Sequence, residues 1–127
     1  MTALNCILHV MDNSGAKLVK LIGIHKKSRK KLALGDIIRV SVVKSISKNI
    51  AEGSKKLAIV CALKSPTHRS SPIYAKKRGL TVKSSYNGVA ILSDDQKKWV
   101  GTVIKGFVAD EVRYKFPEIL SKAEGVF

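Results

Sequence analysis

Clustered lysine and arginine side chains are the groups in this sequence best placed to do chemistry, and that chemistry is the binding of phosphate. Residues 26–31 (KKSRKK) carry five positive charges in six positions, and residues 76–78 (KKR) carry three in a row. Lysine binds phosphate oxygens as a point charge, whereas arginine also forks onto guanine edges. The 19 lysines against five arginines therefore favour recognition of a nucleic-acid backbone over a sequence code.

The net charge lies entirely in the first two-thirds of the chain. The 127 residues include 24 Lys and Arg against nine Asp and Glu, a formal net charge of +15. Residues 1–83 hold 18 basic and three acidic residues, whereas residues 84–127 hold six of each. Such a density of like charge repels itself in a folded domain and calls for a polyanionic partner. A pI of about 10.1 with clustered basic residues is typical of nucleic-acid binding.

Catalytic residue types do not form a recognisable constellation. The sequence contains no GxSxG, HExxH, Walker loop or GxGxxG motif. Cys6 and Cys61 are 55 positions apart, match no metal spacing, and are expected to be buried and reduced. We therefore expect no enzyme, no metal site and no cofactor. No run of about 18 apolar residues is present, so no membrane partner is expected either.

Short apolar runs, often β-branched and separated by turn residues, predict a mainly β fold that must position these charges. In residues 37–46, Ile38 and Val40 alternate with Arg39 and Ser41, which is typical of a strand with one solvated face. The predicted strands are residues 5–10, 18–24, 37–46, 57–63, 89–92 and 99–104, with 73–83 as a weaker candidate carrying a basic tip.

The neutral tail predicts two short helices, residues 108–116 and 117–123. Asp110 and Glu111 at the start of the first, and Arg113 and Lys115 at its end, complement a helix dipole. Pro117 suits the first turn of the second helix. We expect a single domain, in which a small β-barrel of five to six strands (1–106) carries a helical appendix (107–127).

Ordered blocks of sequence run along nearly the whole chain. They are MDNSGAK at 11–17, LGDIIRV at 34–40, AIVCALK at 58–64, NGVAIL at 87–92, GT at 101–102 with GFVA at 106–109, and FPEILSKA at 116–123. Together they resemble the L-fourteen family of large-subunit ribosomal proteins (the universal uL-fourteen type). The resemblance implies a closed five-stranded barrel with a projecting ribbon and small C-terminal helices.

The resemblance also implies a structural role in the large ribosomal subunit. Family members bind large-subunit rRNA near the subunit interface, beside neighbouring proteins of the L-three and L-nineteen types. One face bridges to small-subunit rRNA and is a docking site for silencing or anti-association factors. These partners are expectations that the resemblance carries to this chain.

Three departures from the family pattern concern the expected RNA contacts. Val103 and Asp110 stand where the family has arginines, and residues 65–79 replace its ribbon with no recognisable match. The loss of two arginines fits the neutral charge of the last third. Because such divergence is common in organellar ribosomes, a mitochondrial location is favoured over a cytoplasmic one.

The predicted contact residues follow from the charge clusters and from the DNSGA turn. Asn13 and Ser14 are expected to hold this turn by side-chain-to-backbone bonds, and Gly15 to supply an unusual backbone angle or a close approach to RNA. The predicted RNA-binding residues are Asn13, Ser14, Gly15, Lys17, Lys20, His25, Lys26, Lys27, Arg29, Lys30, Lys31, Arg39, Lys44, Lys48, Lys55, Lys56, Arg69, Lys76, Lys77 and Arg78. The predicted protein-contact residues in the neutral tail are Val108, Val112, Phe116, Ile119 and Leu120.

A second function class is a free-standing β-barrel nucleic-acid-binding protein or RNA chaperone. It needs exposed aromatic side chains on which bases stack, and only 6% of the residues are aromatic. The candidates are Tyr74, Tyr86 and Trp99, of which Trp99 is expected to pack in or beside the core. An enzyme acting on a phosphorylated substrate is a third class, which lacks any supporting acid/base cluster.

Overall fold

The computed structural model describes residues 6–24, 34–48, 50–64, 67–68, 81–82, 84–93 and 98–126. The strands are β1 (Ile7–Val10), β2 (Ala16–Ile24), β3 (Ile37–Ser45), β4 (Lys55–Ala62), β5 (Thr67–His68), β6 (Thr81–Val82), β7 (Gly88–Leu92), β8 (Phe107–Val108) and β9 (Gly125–Val126). Five of them close into a barrel in the order β1-β2-β3-β4-β7. The barrel pairs are antiparallel except β1 with β7, which is parallel. The predicted mainly β fold with a closed five-stranded barrel is confirmed.

Two layers of apolar side chains explain why residues 57–62 of β4 are apolar without interruption. Ala58 and Val60 belong to the core inside the barrel. Leu57, Ile59 and Cys61 alternate with them and belong to a second core on the outside of the barrel. Successive side chains of a strand point to opposite faces, so a strand covered on both sides shows no polar alternation. Residues 57–62 of this strand are all buried.

Residues 107–126, here called the C-terminal segment, form the outer layer of the second core. A 3₁₀ helix spans Asp110–Tyr114, and helix α1 spans Pro117–Lys122 with its proline in the first turn. The first helix is shorter than predicted because Phe107 and Val108 pair with β9 instead. Within the described residues, no helix has the length and apolar character needed to cross a membrane.

The predicted strand at residues 99–104 is wrong. This stretch forms only two isolated bridges, Trp99 with Leu92 and Ile104 with Asp12. Its apolar residues Trp99 and Ile104 enter the second core, and the Asn13 side chain accepts hydrogen bonds from the intervening backbone N–H groups. Burial therefore produced the apolar pattern here without a strand ladder.

In the connection between β4 and β7, the strands β5 and β6 form a short antiparallel pair. The pairing agrees with a ribbon in this part of the chain. The predicted basic tip at residues 76–79 lies outside the described residues.

Candidate nucleic-acid interface

The outer face of β2, β3 and the start of β4 carries a row of basic side chains. Lys20 pairs with Ser41, and Ser41 pairs with Lys55, so the three residues lie side by side across three strands. Partners in an antiparallel pair point to the same face, and neighbouring strands lie about 4.7–4.9 Å apart. The backbones at Lys20 and Lys55 are therefore separated by about 10 Å.

Arg39 adds a third cation to this face. It lies two residues from Ser41 on β3, about 7 Å along the strand, and is exposed. We call Lys20, Arg39 and Lys55 the basic wall. Among the described residues, no carboxylate forms an ion pair with any of the three, so their charges are available to a polyanion. The opposite side of the barrel, β4 with β7, is covered by the C-terminal segment.

The other predicted basic residues fall into three groups. Lys17, Lys44 and Lys48 are exposed at the end of the barrel that carries the DNSGA turn. Lys56 is half-buried and faces inward, as set out below. The remaining predicted residues, which are His25, Lys26, Lys27, Arg29, Lys30, Lys31, Arg69, Lys76, Lys77 and Arg78, lie outside the residues whose side chains the structure describes.

Asp12 organises the DNSGA turn through a buried carboxylate that is only 7% exposed. Its Oδ1 accepts hydrogen bonds from the backbone N–H of Ser14 at 3.1 Å and from Ser14 Oγ at 2.6 Å. Its Oδ2 accepts from the backbone N–H of Ile91 at 2.8 Å and from Trp99 Nε1 at 2.9 Å. Sequence reasoning missed Asp12, although an Asp two residues before Ser is a signal for such a turn.

Asn13 joins the turn to the segment after Trp99. Its Oδ1 accepts from the backbone N–H groups of Thr102 at 2.7 Å and Val103 at 3.2 Å, and its Nδ2 donates to Thr102 Oγ1 at 2.8 Å. Asn13 makes the predicted side-chain-to-backbone bonds, though to a distant segment, whereas the Ser14 side chain makes none among the described residues. Asn13 reaches across the fold, and the Ser14 hydroxyl donates to a carboxylate.

Gly15 has the unusual backbone angle that was predicted, with φ at +111°. Its backbone also closely approaches another part of the chain, since an added Cβ would overlap Cβ of Ser47. The carbonyl of Gly15 accepts hydrogen bonds from Ile46 N–H at 2.8 Å and Ser45 Oγ at 3.2 Å. The turn is thereby joined to the end of β3.

Comparison with known proteins identifies the family to which this barrel belongs. A family model described as ribosomal protein L14p/L23e matches residues 1–127, the full sequence. The chain belongs to the ribosomal protein L14p/L23e family. A curated relative, the large ribosomal subunit protein uL14 of Nanoarchaeum equitans (strain Kin4-M), is 35% identical over 117 residues, covering 88% of this chain and 81% of the relative. The predicted family resemblance is confirmed.

The predicted protein-contact residues of this ribosomal protein lie in its own core. The five side chains all belong to the second core against the outside of the barrel, and they are Val108, Val112, Phe116, Ile119 and Leu120. They fasten the C-terminal segment to β4 and β7. The same segment exposes Phe107 (58%), Tyr114 (69%) and Val126 (44%), which are the side chains a neighbouring protein would meet.

Neither cysteine of this family member is arranged for chemistry. Cys61 is buried, and burial, followed by the nearby charge of Asp12, raises the pKa of its thiol well above its ordinary value. Cys6 is half-buried rather than buried as predicted, and burial raises the pKa of its thiol as well. The described part of the chain contains no group of three or more His, Cys, Asp or Glu suited to a metal ion.

The aromatic candidates for base stacking lie mainly inward. Trp99 is 9% exposed and belongs to the second core, which confirms its predicted packing. Tyr86 is half-buried, and burial, followed by the charges of Cys61 and Glu124, raises the pKa of its hydroxyl. Tyr74 lies outside the described residues.

Proposed function

We propose that this protein is a structural component of the large ribosomal subunit and that its basic wall binds the rRNA backbone. The observation that carries the proposal is the row Lys20–Ser41–Lys55 with Arg39 beside it, on the side of the barrel that the C-terminal segment leaves uncovered. The family membership and the uL14 relative support the subunit assignment.

The shape of the basic wall favours backbone contacts. A-form RNA hides its base edges in a deep, narrow major groove, so proteins recognise its double-stranded parts by phosphates and 2′-hydroxyls. Cations held at fixed spacings on β-strands suit such a repeating surface, and their binding releases counterions. Lys17, Lys44 and Lys48, exposed at one end of the same barrel, extend the positive surface.

Removing the charges of the basic wall tests this proposal. We expect the triple variant Lys20→Gln, Arg39→Gln, Lys55→Gln to bind large-subunit rRNA more weakly and to lower the salt slope of log K by about 2–3, because each lost phosphate contact removes about 0.7–0.9. Filter binding at salt concentrations of about 50 to 300 mM gives the slope, because phosphate contacts weaken as salt rises through this range.

The matched control removes three exposed lysines from the other side of the barrel. Lys105, Lys115 and Lys122 are exposed and lie on or beside the C-terminal segment. The variant Lys105→Gln, Lys115→Gln, Lys122→Gln has the same net charge as the basic-wall variant. Equal losses of slope in the two variants would show that net charge, and not the basic wall, drives the binding.

Gly23 leaves open space at the barrel surface beside Arg39. The two residues are partners across β2 and β3, and an added Cβ at Gly23 would meet nothing within 4 Å. We expect Gly23→Leu to leave the unfolding midpoint in urea unchanged or raised, because glycine in a strand interior costs roughly 0.5–1 kcal/mol. We also expect it to weaken RNA binding about tenfold by holding the backbone away from Arg39, since about 1.4 kcal/mol corresponds to that factor.

Ala51→Leu is the control for added bulk, since Ala51 is exposed in the connection between β3 and β4. Filter binding compares both variants with the unmodified protein. RNA affinity that is the same for Gly23→Leu and Ala51→Leu would contradict a close approach at Gly23.

The partner proteins are proposals carried by the family resemblance. We propose contacts with proteins of the L-three and L-nineteen types, with small-subunit rRNA across the interface, and with a silencing or anti-association factor. The exposed Phe107, Tyr114 and Val126 support a protein contact at the C-terminal segment. Crosslinking in purified large subunits tests each partner separately.

Sedimentation tests the assembly and the compartment, for which the sequence departures favour the mitochondrion. We expect the protein to migrate with large subunits through a wash at high salt, in gradients run on separate cytosolic and mitochondrial fractions. A position near the top of both gradients would overturn the proposal and favour the free-standing nucleic-acid-binding protein.

A further inference from the structure

A cleft of about 450 Å³ opens at one end of the barrel. This end carries the DNSGA turn between β1 and β2, the connection between β3 and β4, and the exit of β7. We call the cleft the barrel mouth. Its lining includes Asn13, Ile50, Lys56, Leu92, Val100 and Thr102.

Lys56 brings a positive charge to the inner side of the barrel end. Its partner on β3 is Val40, which is fully buried in the core inside the barrel, and Ala58, two residues further along β4, belongs to the same core. Residues at this spacing and pairing share one face of the sheet, so Lys56 faces inward while Lys55 faces outward. Among the described residues, no carboxylate forms an ion pair with Lys56.

An inward-facing cation at the edge of an apolar core indicates an anionic group nearby, because a partly desolvated charge is costly without one. Asp12 is the carboxylate bonded to the turn and to β7, but its two oxygens already accept four hydrogen bonds. Asp12 is therefore not placed to serve as the anionic partner of Lys56.

The remaining lining divides into an apolar part and a polar rim. Ile50, Val100 and Leu92 supply apolar surface. Thr102 Oγ1 accepts from Asn13, and its own O–H makes no hydrogen bond to another described residue. Ligand pockets of about 300–1,000 Å³ combine such an apolar lining with a few placed polar groups, and barrel mouths are one of their preferred positions.

We infer that the barrel mouth receives one unpaired nucleotide of the rRNA. Its phosphate binds the Lys56 ammonium, and its base lies against the apolar side next to Val100. This inference rests on the proposed RNA binding and adds a single-nucleotide site to it. Lys55 of the basic wall and Lys56 of the mouth are consecutive, so the two surfaces meet at the start of β4. Unpaired nucleotides splay out of RNA loops and are the usual target of such pockets.

Two variants disrupt the site by different physical means, and a third variant serves as a control. Lys56→Met removes the charge and keeps the length of the side chain. Val100→Phe fills the cleft at a side chain that is 47% exposed, so the core is not disturbed. Lys122→Met removes an exposed charge on α1, away from the basic wall and the mouth.

The experiment is 2′-hydroxyl acylation of the rRNA in assembled large subunits that carry each variant. We expect the same single nucleotide to gain reactivity in Lys56→Met and in Val100→Phe. The expected gain in Lys56→Met is roughly tenfold, the factor that corresponds to the loss of one charge-assisted hydrogen bond. Lys122→Met leaves that nucleotide protected.

Each other outcome overturns a definite statement. One such outcome is that the protein protects rRNA nucleotides at the basic wall while no nucleotide gains reactivity in Lys56→Met and Val100→Phe. That result overturns the nucleotide site and leaves the proposed function intact. Equal exposure of the nucleotide in Lys122→Met overturns the site as well, because the effect would then follow charge alone. No footprint of the unmodified protein on the rRNA overturns the proposed function itself.

Discussion

Replacing Asp12 by alanine is expected to lower the free energy of unfolding by about 3–5 kcal/mol, which is a large fraction of the stability of a small domain. The substitution leaves the N–H of Ile91 and Nε1–H of Trp99 buried without an acceptor, and each such group costs about 1–3 kcal/mol. The two bonds from Ser14 are lost as well. Urea unfolding measures the effect as a shift of the midpoint at constant m-value.

Ser14→Ala is the control for the Asp12 network. It removes one donor from the carboxylate and leaves the bonds from Ile91 and Trp99 in place, so we expect a loss of only about 0.5–1.5 kcal/mol. The fluorescence of Trp99, the single tryptophan of the sequence, provides a local probe of the same transition. If Asp12→Ala destabilises no more than Ser14→Ala, the carboxylate is not the centre of the turn.

Gly15→Ala is expected to be the second severe change, with a loss of roughly 2–4 kcal/mol. A φ of +111° strains any residue with a side chain, and the added methyl group would also overlap Cβ of Ser47. The turn and the end of β3 would have to separate, which would break the hydrogen bonds of Ile46 and Ser45 to the Gly15 carbonyl.

Gly53→Ala separates the two causes. Gly53 also has a positive φ, +83°, but an added Cβ there would meet nothing within 4 Å, so this variant reports backbone strain alone. The excess loss in Gly15→Ala over Gly53→Ala measures the overlap with Ser47. Adding Ser47→Gly to Gly15→Ala should recover that excess, and a double-mutant cycle tests it. Equal losses for the two glycines would contradict the close approach.

The sequence by itself determined those features that depend on local chemistry. Alternation located the strand with Arg39 on its solvated face, the DNSG run located the first turn, and Pro117 marked the start of the last helix. The uneven charge indicated a polyanionic partner, and the ordered sequence blocks indicated the family. Each of these follows from neighbours a few positions apart, where the steric and electrostatic rules act directly.

Tertiary structure decided how distant residues share one site. Lys20 and Lys55 form one row only because the register of β2, β3 and β4 places both opposite Ser41. Lys55 and Lys56 are identical in type and adjacent, and the register of β4 with β3 decides that Lys55 faces outward and Lys56 inward.

The same reason explains the features that sequence reasoning missed or misassigned. Asp12 accepts hydrogen bonds from Ile91 and Trp99, which lie 79 and 87 positions away in the sequence. The apolar residues Trp99 and Ile104 resemble a strand because the second core buries them, and Val112 and Ile119 face the protein's own barrel rather than a partner. Burial creates an apolar pattern whatever covers it, so only the packed fold shows which surface does the covering.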